Sequence, residues 1–340
     1  MCDPDNTSIM LFQTCGACRA TNYMNVLRMA LKDAGYPQVP VFACWGLETD
    51  AFSFTRESLI EAIKAAVYGD VLMNVKNRTM PYELNKGETQ QVYDRWMAKC
   101  KEELSREKTS YRRFSQNIQA IVQDFEAIPI DENMWKPKVG IVGEILAKYH
   151  PVANNNIEKV LMEEGAEVIM PDFVDFFMYS AYDAVVKREL LDGKLKSKLI
   201  AQMFIQLMEF YRRPVRKAMK HSKRYLPPHT IGEIAALAKE HVSLGNMAGE
   251  GWFLTGEMVK LIRHGVPNVV CLQPFGCLPN HITGKGVIHS LRKHYKEANI
   301  LAIDCDAGAS EVNQLNRLKL MLSVAKEKNP NMQNADLKKA

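Results

Sequence analysis

Short apolar runs alternate with amphipathic stretches along the chain, and this alternation predicts an α/β fold. The apolar run Ser8–Gln13 predicts a buried strand, and the residues from Tyr23 to Ala34 have helical spacing that Gly35 ends. A second apolar run, Val39–Ala43, predicts another strand. Strand, helix and strand in this order are typical of a parallel βαβ unit.

The middle of the chain predicts helices, in particular Arg56–Tyr68 and a longer one over Glu88–Phe125. A linker with two prolines, Ile128–Pro137, separates them from a second α/β unit. The strands predicted in that unit are Val139–Val142, Val168–Met170, Asn268–Val270 and Ile300–Asp304.

We therefore expect an α/β protein built from Rossmann-like parallel-sheet units with helical insertions. Residues 1–135 form an N-terminal α/β unit with a long helical segment. Residues 136–340 form a second Rossmann-like α/β domain, with a helical insertion over about 173–246.

Composition and charge narrow the function classes. Of the 340 residues, 47% are hydrophobic and 24% charged, which is ordinary for a globular protein. The net charge of +5 is too small to indicate a nucleic-acid partner. The N-terminal residues lack the apolar run of a signal peptide, and no segment approaches the ~18 apolar residues of a membrane span. We expect a cytoplasmic protein with neither a nucleic-acid nor a membrane partner.

The eight cysteines are unusual for such a protein. In a reducing cytosol these cysteines are not expected to form a disulfide framework. Six of them are expected just past the carboxyl end of a predicted strand, the edge at which parallel α/β sheets bind ligands. These six are Cys15, Cys18, Cys44, Cys271, Cys277 and Cys305, whereas Cys2 and Cys100 do not fit the pattern.

Three explanations compete for the six strand-end cysteines: metal ligation, thiol–disulfide chemistry and buried apolar filling. Loops at one sheet edge can gather several thiols, which favours metal ligation. Structural zinc sites use paired short cysteine spacings, but this chain has one such pair, Cys15 and Cys18. Iron–sulfur clusters accept dispersed ligands. Six thiolates suit one 4Fe–4S cluster with spare thiols, or two cubes with three ligands each.

Other polar residues are weaker candidates. Glu144, Glu250, Glu257 and His281 are candidates for proton transfer beside a cluster, with helix caps or core contacts as the ordinary alternative. Neither a dinucleotide fingerprint nor a P-loop motif occurs, so ATP hydrolysis by this chain is not expected.

The basic segment Tyr211–Tyr225 allows contact with CoA phosphates or with an acidic partner. Its ordinary interpretation is a solvated basic helix broken at Pro214.

Several long motifs resemble the acyl-CoA dehydratase activase-related family, relatives of the 2-hydroxyacyl-CoA dehydratase components and of the double-cubane cluster proteins. The resemblance extends over nearly the whole chain. Its motifs are CRATNY (Cys18–Tyr23), VGEILAKYHPVANN (Val142–Asn155), GEGWFLTGEM (Gly249–Met258), CLQPFGCLPNHITGKG (Cys271–Gly286) and DAGASEVNQLNRLKLML (Asp306–Leu322).

The resemblance implies an oxygen-sensitive iron–sulfur protein of anaerobic metabolism, with a 4Fe–4S or a double-cubane 8Fe–9S cluster. An ATP-hydrolysing activase of the actin-like fold would supply one low-potential electron, and the chain would pass it to a substrate or to a second cluster. The alternatives are a 2-hydroxyacyl-CoA dehydratase component that acts on the acyl-CoA directly, and a scaffold subunit without a cluster. Whether the chain is itself an enzyme stays open between these.

Residue by residue, Cys18, Cys271 and Cys277 fall on cysteine positions of the family pattern, whereas Cys15, Cys44 and Cys305 do not. Relatives also continue upstream with another α/β segment that bears a further cysteine. The extra cysteines therefore compensate for that segment, or a partner supplies it. An upstream α/β subunit or a homodimer would be such a partner.

Overall fold

The computed structural model describes residues 3–11, 18–43, 55–105, 109–306 and 308–327. These residues form an α/β fold with parallel sheets, which confirms the predicted fold class at that level. The first unit pairs β1 (Ile9–Leu11) in parallel with β2 (Val41–Ala43), and α1 (Tyr23–Asp33) connects them. Its small core is centred on Met24 and Val41.

The helices that follow in the described stretches are α2 (Arg56–Thr79), α3 (Glu88–Ser105) and α4 (Tyr111–Glu126). The prediction of a single helix over Glu88–Phe125 is wrong. Ser110 begins a new helix because its hydroxyl accepts the backbone N–H of Arg113 at 3.2 Å, which satisfies one of the donors left free at a helix start.

A four-stranded parallel sheet forms the second unit. Its strands are β3 (Lys138–Gly143), β4 (Glu167–Ile169), β5 (Asn268–Pro274) and β6 (Asn299–Cys305), in the order β4-β3-β5-β6. Nearly every residue of β3 and β5 is buried, as expected of strands that helices cover on both faces.

Helices connect and cover these strands. They are α5 (Ile145–Tyr149), α6 (Ile157–Glu163), α7 (Phe173–Leu190), α8 (Leu195–Met219), α9 (Ile231–Lys239), α10 (Gly251–Arg263), α11 (Leu278–Asn280), α12 (Ile288–His294) and α13 (Glu311–Glu327). A π-helical turn, His281–Lys285, follows α11. No described helix is both long enough and apolar enough to cross a bilayer.

The helical core joins segments from both predicted domains. Phe114 and Phe125 of α4 pack in one apolar cluster with Tyr179 of α7 and Trp252 of α10. Separate clusters lie on the two faces of the sheet, one below α10 and one below α6 and α13. The proposed domain boundary at residue 135 stays a prediction.

Helix α8 runs through Pro214 to its end at Met219, so the predicted break is wrong. Proline removes the N–H that would bond to the carbonyl of Phe210. The Tyr111 hydroxyl donates to that carbonyl at 3.4 Å and replaces the missing donor. Arg212 is buried in ion pairs with Asp172 and Asp175, so this guanidinium is not solvated.

Strand β5 is longer than the predicted Asn268–Val270. Because β3 and β6 hydrogen-bond to its two sides, the ladder continues through polar Gln273 as far as Pro274. Cys271 therefore lies in the middle of the strand rather than past its end.

Candidate functional site

The candidate site lies where β3 and β5 end side by side. The chain leaves β3 towards β4 on one side and leaves β5 towards β6 on the other, so this point is the switch of the sheet order. Parallel α/β sheets bind ligands in the crevice at such a switch. Glu144 follows β3 and Cys277 follows β5, and both are buried.

Glu144 is held as the cap of α5. One carboxylate oxygen accepts the backbone N–H of Ala147 at 2.8 Å, and the other accepts the hydroxyl of Tyr23 at 3.2 Å. Burial raises the pKa of the Glu144 carboxyl, although both of these hydrogen bonds oppose the rise. The carboxylate thus fastens α1 of the first unit to the sheet of the second.

The second buried carboxylate, Glu250, approaches from the start of α10. It lies between Gly249 and Gly251, which both adopt positive φ (59° and 45°), where an L side chain would be strained. Its carboxylate accepts the backbone N–H of Ile145 at 3.1 Å. This turn therefore aims Glu250 at the residue that follows Glu144.

Asn280 joins the two acidic residues. Oriented by its hydrogen-bond partners, its amide nitrogen donates to Glu250 at 2.8 Å, and its oxygen accepts the backbone N–H of Glu144 at 3.2 Å. Burial, with the nearby Glu144 charge second, raises the pKa of Glu250 to about 8. A carboxyl with this pKa can hold or release a proton near neutral pH.

Two cysteines border this acidic pair. Cys18 precedes a 3-10 turn and is buried beside Gly249, where an added Cβ would lie 3.6 Å from the cysteine sulfur and 3.1 Å from the Pro279 ring. Cys277 precedes α11. Burial raises the pKa of Cys277 to about 12, with the Glu250 and Cys18 charges adding to the rise. The CRATNY, GEGWF and CLPN segments therefore meet here.

Cys271 lies near these residues, but its surroundings are apolar. Its sulfur packs beneath the first turn of α10, 3.1 Å from where a Cβ on Gly284 would lie, in an apolar cluster with Leu254 and Met258. Burial raises the pKa of this thiol to about 12. Cys271 therefore occupies a small apolar core position.

Cys305 lies on the other face of the sheet. It ends β6 and packs against the cluster below α6 and α13, whereas Cys271 packs below α10. The register pairs Cys271 with Ala302, and three residues further along a strand a side chain points to the opposite face. The structure does not bring Cys271 and Cys305 together.

The remaining predicted residues divide into two groups. Cys15 and Cys44 lie outside the described residues. His281 is half-buried, and its Nδ1 donates to the carbonyl of Cys277 at 2.8 Å, so it positions the Cys277 turn. Glu257 lies deeper, in a buried ion pair with Lys148 at 3.0 Å.

Reasoning from the sequence missed Tyr23 and Asn280. Both occur inside the motifs that carry the family resemblance, which is the signal that could have found them. Neither residue is a carboxylate, an imidazole or a thiol, so a search for those groups passes over them.

The described residues bring two buried thiols and two buried carboxylates to one place. Across residues 18–43, 55–105, 109–306 and the shorter described stretches, no three His, Cys, Asp or Glu side chains are grouped as metal ligands. Among the described cysteines, Cys18 and Cys277 lie beside these carboxylates, and thiols are the donors that iron–sulfur clusters need. They fit part of such a ligand set.

Comparison of the chain with known protein families, characterised proteins and solved structures finds no match.

Proposed function

We propose that the chain is an iron–sulfur protein similar to the acyl-CoA dehydratase activase-related proteins. It accepts a low-potential electron from an ATP-hydrolysing activase and passes it to a substrate or to a second cluster. The supporting observation is that Cys18 and Cys277, from distant parts of the sequence, border one buried polar site at the sheet switch. The four-stranded sheet would then be a Rossmann-like unit.

In this proposal Cys18 and Cys277 hold the cluster, and Cys15 and Cys44 are candidates to complete its ligand set. Cys271 and Cys305 stay predicted ligands that substitution can test. A bound iron–sulfur cluster supplies a one-electron redox centre. The protein is expected to act in the cytoplasm of an anaerobic cell.

The chain's own residues then control protons and water at this site. Glu250 holds a proton on its carboxyl, and Asn280 fixes the direction of that carboxyl. Glu144 and Tyr23 close the other side, and the buried position of both carboxylates excludes water. Reduction reactions consume protons together with electrons, and a protonated carboxyl at this site can supply such a proton.

The test is anaerobic purification followed by counting iron and acid-labile sulfide per chain. We expect Cys18→Ser and Cys277→Ser to lose most of the iron. The matched control is Cys100→Ser, which changes an equally buried thiol on α3 and should keep it.

Stoichiometry separates the possibilities. About eight irons with about nine sulfides would indicate a double-cubane cluster, and about four of each would indicate a single cube. No iron after anaerobic reconstitution would refute the proposal and leave the scaffold subunit. Equal iron loss in the Cys277 and Cys100 variants would refute the ligand assignment.

A second candidate function, a 2-hydroxyacyl-CoA dehydratase component, is favoured by one cleft. This cleft has a volume of about 840 Å³, within the usual range for small-molecule sites, and Lys86, Lys136 and Tyr149 are among its lining residues. Tyr149 ends α5, the helix that Glu144 caps, so the cleft begins about 8 Å along that helix from the site.

This candidate predicts binding of a CoA ester in anaerobic calorimetric titration, weakened about tenfold by Lys136→Glu. The control is Lys293→Glu, on α12, which should bind as the wild type does. Failure of the wild-type chain to bind a CoA ester would refute the dehydratase candidate and leave the electron-transfer proposal intact.

A further inference from the structure

The end of α7, the turn after it and the first half of α8 carry exposed large apolar side chains. Met203 is 72% exposed, and the others are 52% to 61% exposed. We call these residues the hairpin face: Leu190, Leu191, Leu195, Leu199, Ile200 and Met203.

The fold does not need the hairpin face. The opposite side of α8 is also apolar, and there Ala201, Ile205 and Met208 are buried. Ile205 and Met208 belong to the main helical core. The inward side of the helix is therefore already packed in the core, and a second set of large apolar side chains on the solvent side is typical of a surface that another molecule covers.

The charges around the hairpin face have one predominant sign. The segment 187–203 contains five basic and two acidic residues. One of the acidic residues, Glu189, already pairs with Lys198 at 3.2 Å. Lys194 and Lys196 are exposed at the start of α8. Acidic side chains on a partner would complement this border.

We propose that the hairpin face is the docking site of a protein partner that presents an amphipathic helix whose apolar face is bordered by acidic side chains. Leu195, Leu199 and Met203 repeat every four residues, so they form one row of about 12 Å along the helix. Rows of side chains four residues apart are the ridges along which two helices pack against each other.

The same observations disfavour two other occupants. A second copy of this chain would bring two basic borders together, which electrostatic repulsion opposes. On a lipid surface the ammonium of Lys196, one residue from Leu195 and three from Leu199, would have to extend past the apolar stripe to the headgroups, whereas an acidic helix can place a carboxylate directly opposite it.

The test uses the full chain and three defined probes in fluorescence titrations. One probe is an amphipathic helical peptide of about 21 residues with leucine at the heptad core positions and glutamate elsewhere. The second replaces the glutamates with lysine, and the third is a phosphatidylglycerol vesicle. We expect the glutamate peptide to bind at least about tenfold more tightly than the lysine peptide, and added salt to weaken it.

Variants locate the binding. Leu199→Asp and Lys196→Glu should each weaken the glutamate peptide about tenfold, whereas Leu320→Asp, on the exposed side of α13, should not. Circular dichroism and thermal unfolding verify that the variants fold.

The proposal is overturned if the glutamate peptide does not bind, or binds no better than the lysine peptide. It is also overturned if the Leu199 variant binds it normally, or if vesicles are the only probe bound. Sedimentation that shows self-association abolished by Leu199→Asp would assign the face to a second copy instead.

Discussion

The Tyr23 hydroxyl donates a hydrogen bond to the Glu144 carboxylate at 3.2 Å, across the junction of the two α/β units. Tyr23 begins α1, and Glu144 follows β3. The bond therefore fixes the segment that carries Cys18 against the sheet edge that ends at Glu144. The two thiols of the proposed cluster site keep their relative positions partly through it.

Removal of this bond should destabilise the chain. Tyr23→Phe leaves one oxygen of a buried carboxylate without that donor, which costs about 1–3 kcal/mol in the free energy of unfolding. Urea unfolding of the metal-free chain measures this. The control, Tyr36→Phe, changes an exposed tyrosine and should have little effect. Equal stability of the two variants would show that the bond does not contribute.

The buried Lys148–Glu257 pair gives a second prediction. Both side chains are 1% exposed, and their charged atoms are 3.0 Å apart. Lys148→Met leaves Glu257 buried without its cation and should cost about 3–5 kcal/mol in unfolding free energy. In the double variant Lys148→Met, Glu257→Met, most of that stability should return because no buried charge of the pair remains.

The exposed pair Lys159–Glu163, at 3.7 Å, is the control for this cycle. Lys159→Met should change the unfolding free energy by less than about 1 kcal/mol, because water screens both charges. A double variant at 148 and 257 no more stable than Lys148→Met alone would contradict the prediction.

Asp183 should make stability fall as pH rises. Burial raises the pKa of this carboxyl to about 7, against the opposing hydrogen bond from Trp252 and the charge of Lys187. The folded chain therefore keeps a proton that the unfolded chain releases from its usual pKa of 3.8 upward. The stabilisation that this bound proton provides below pH 4 is lost progressively up to pH 7. Its contribution to the unfolding free energy falls by up to about 1.4 kcal/mol per pH unit.

Asp183→Asn removes this titration, so the unfolding free energy of the wild type should fall relative to that of the variant between pH 4 and pH 7. Urea midpoints at several pH values measure the difference. The exposed Asp192→Asn should follow the wild-type profile. If Asp183→Asn also follows it, Asp183 does not keep its proton in the folded chain.

The backbone at Gly143, where β3 ends, leaves no room for a side chain. Its φ is 145°, and an added Cβ would lie 2.0 Å from the carbonyl oxygen of Leu272. Gly143→Ala should therefore destabilise the chain by several kcal/mol or prevent folding, because backbone atoms cannot yield as a side chain can. Gly232→Ala, in open space on α9, should be neutral or stabilising by up to about 1 kcal/mol. Thermal unfolding compares them, and equal midpoints would contradict this account.

Sequence patterns located most elements because they report local geometry. The apolar run before Gly143 and the helical spacing from Tyr23 to Ala34 correspond to β3 and α1 within one or two residues. The predicted ends of elements were wrong where contacts with residues far away in the sequence determine them. Helix α8 continues through Pro214 because Tyr111 supplies a donor, and β5 passes Val270 because two strands pair with it.

By itself, the sequence determined the α/β alternation. It also indicated Cys18 and Cys277 as candidate ligands of one cluster, with Glu250 as a candidate for proton transfer beside it. Periods of 2 and 3.6 residues follow from backbone geometry, so they are readable without a fold. Only the tertiary structure decided which groups meet: it joins Tyr23 to Glu144 and sets Cys271 and Cys305 on opposite faces. Those relationships depend on strand order and register, which are set by packing between residues far apart in the chain.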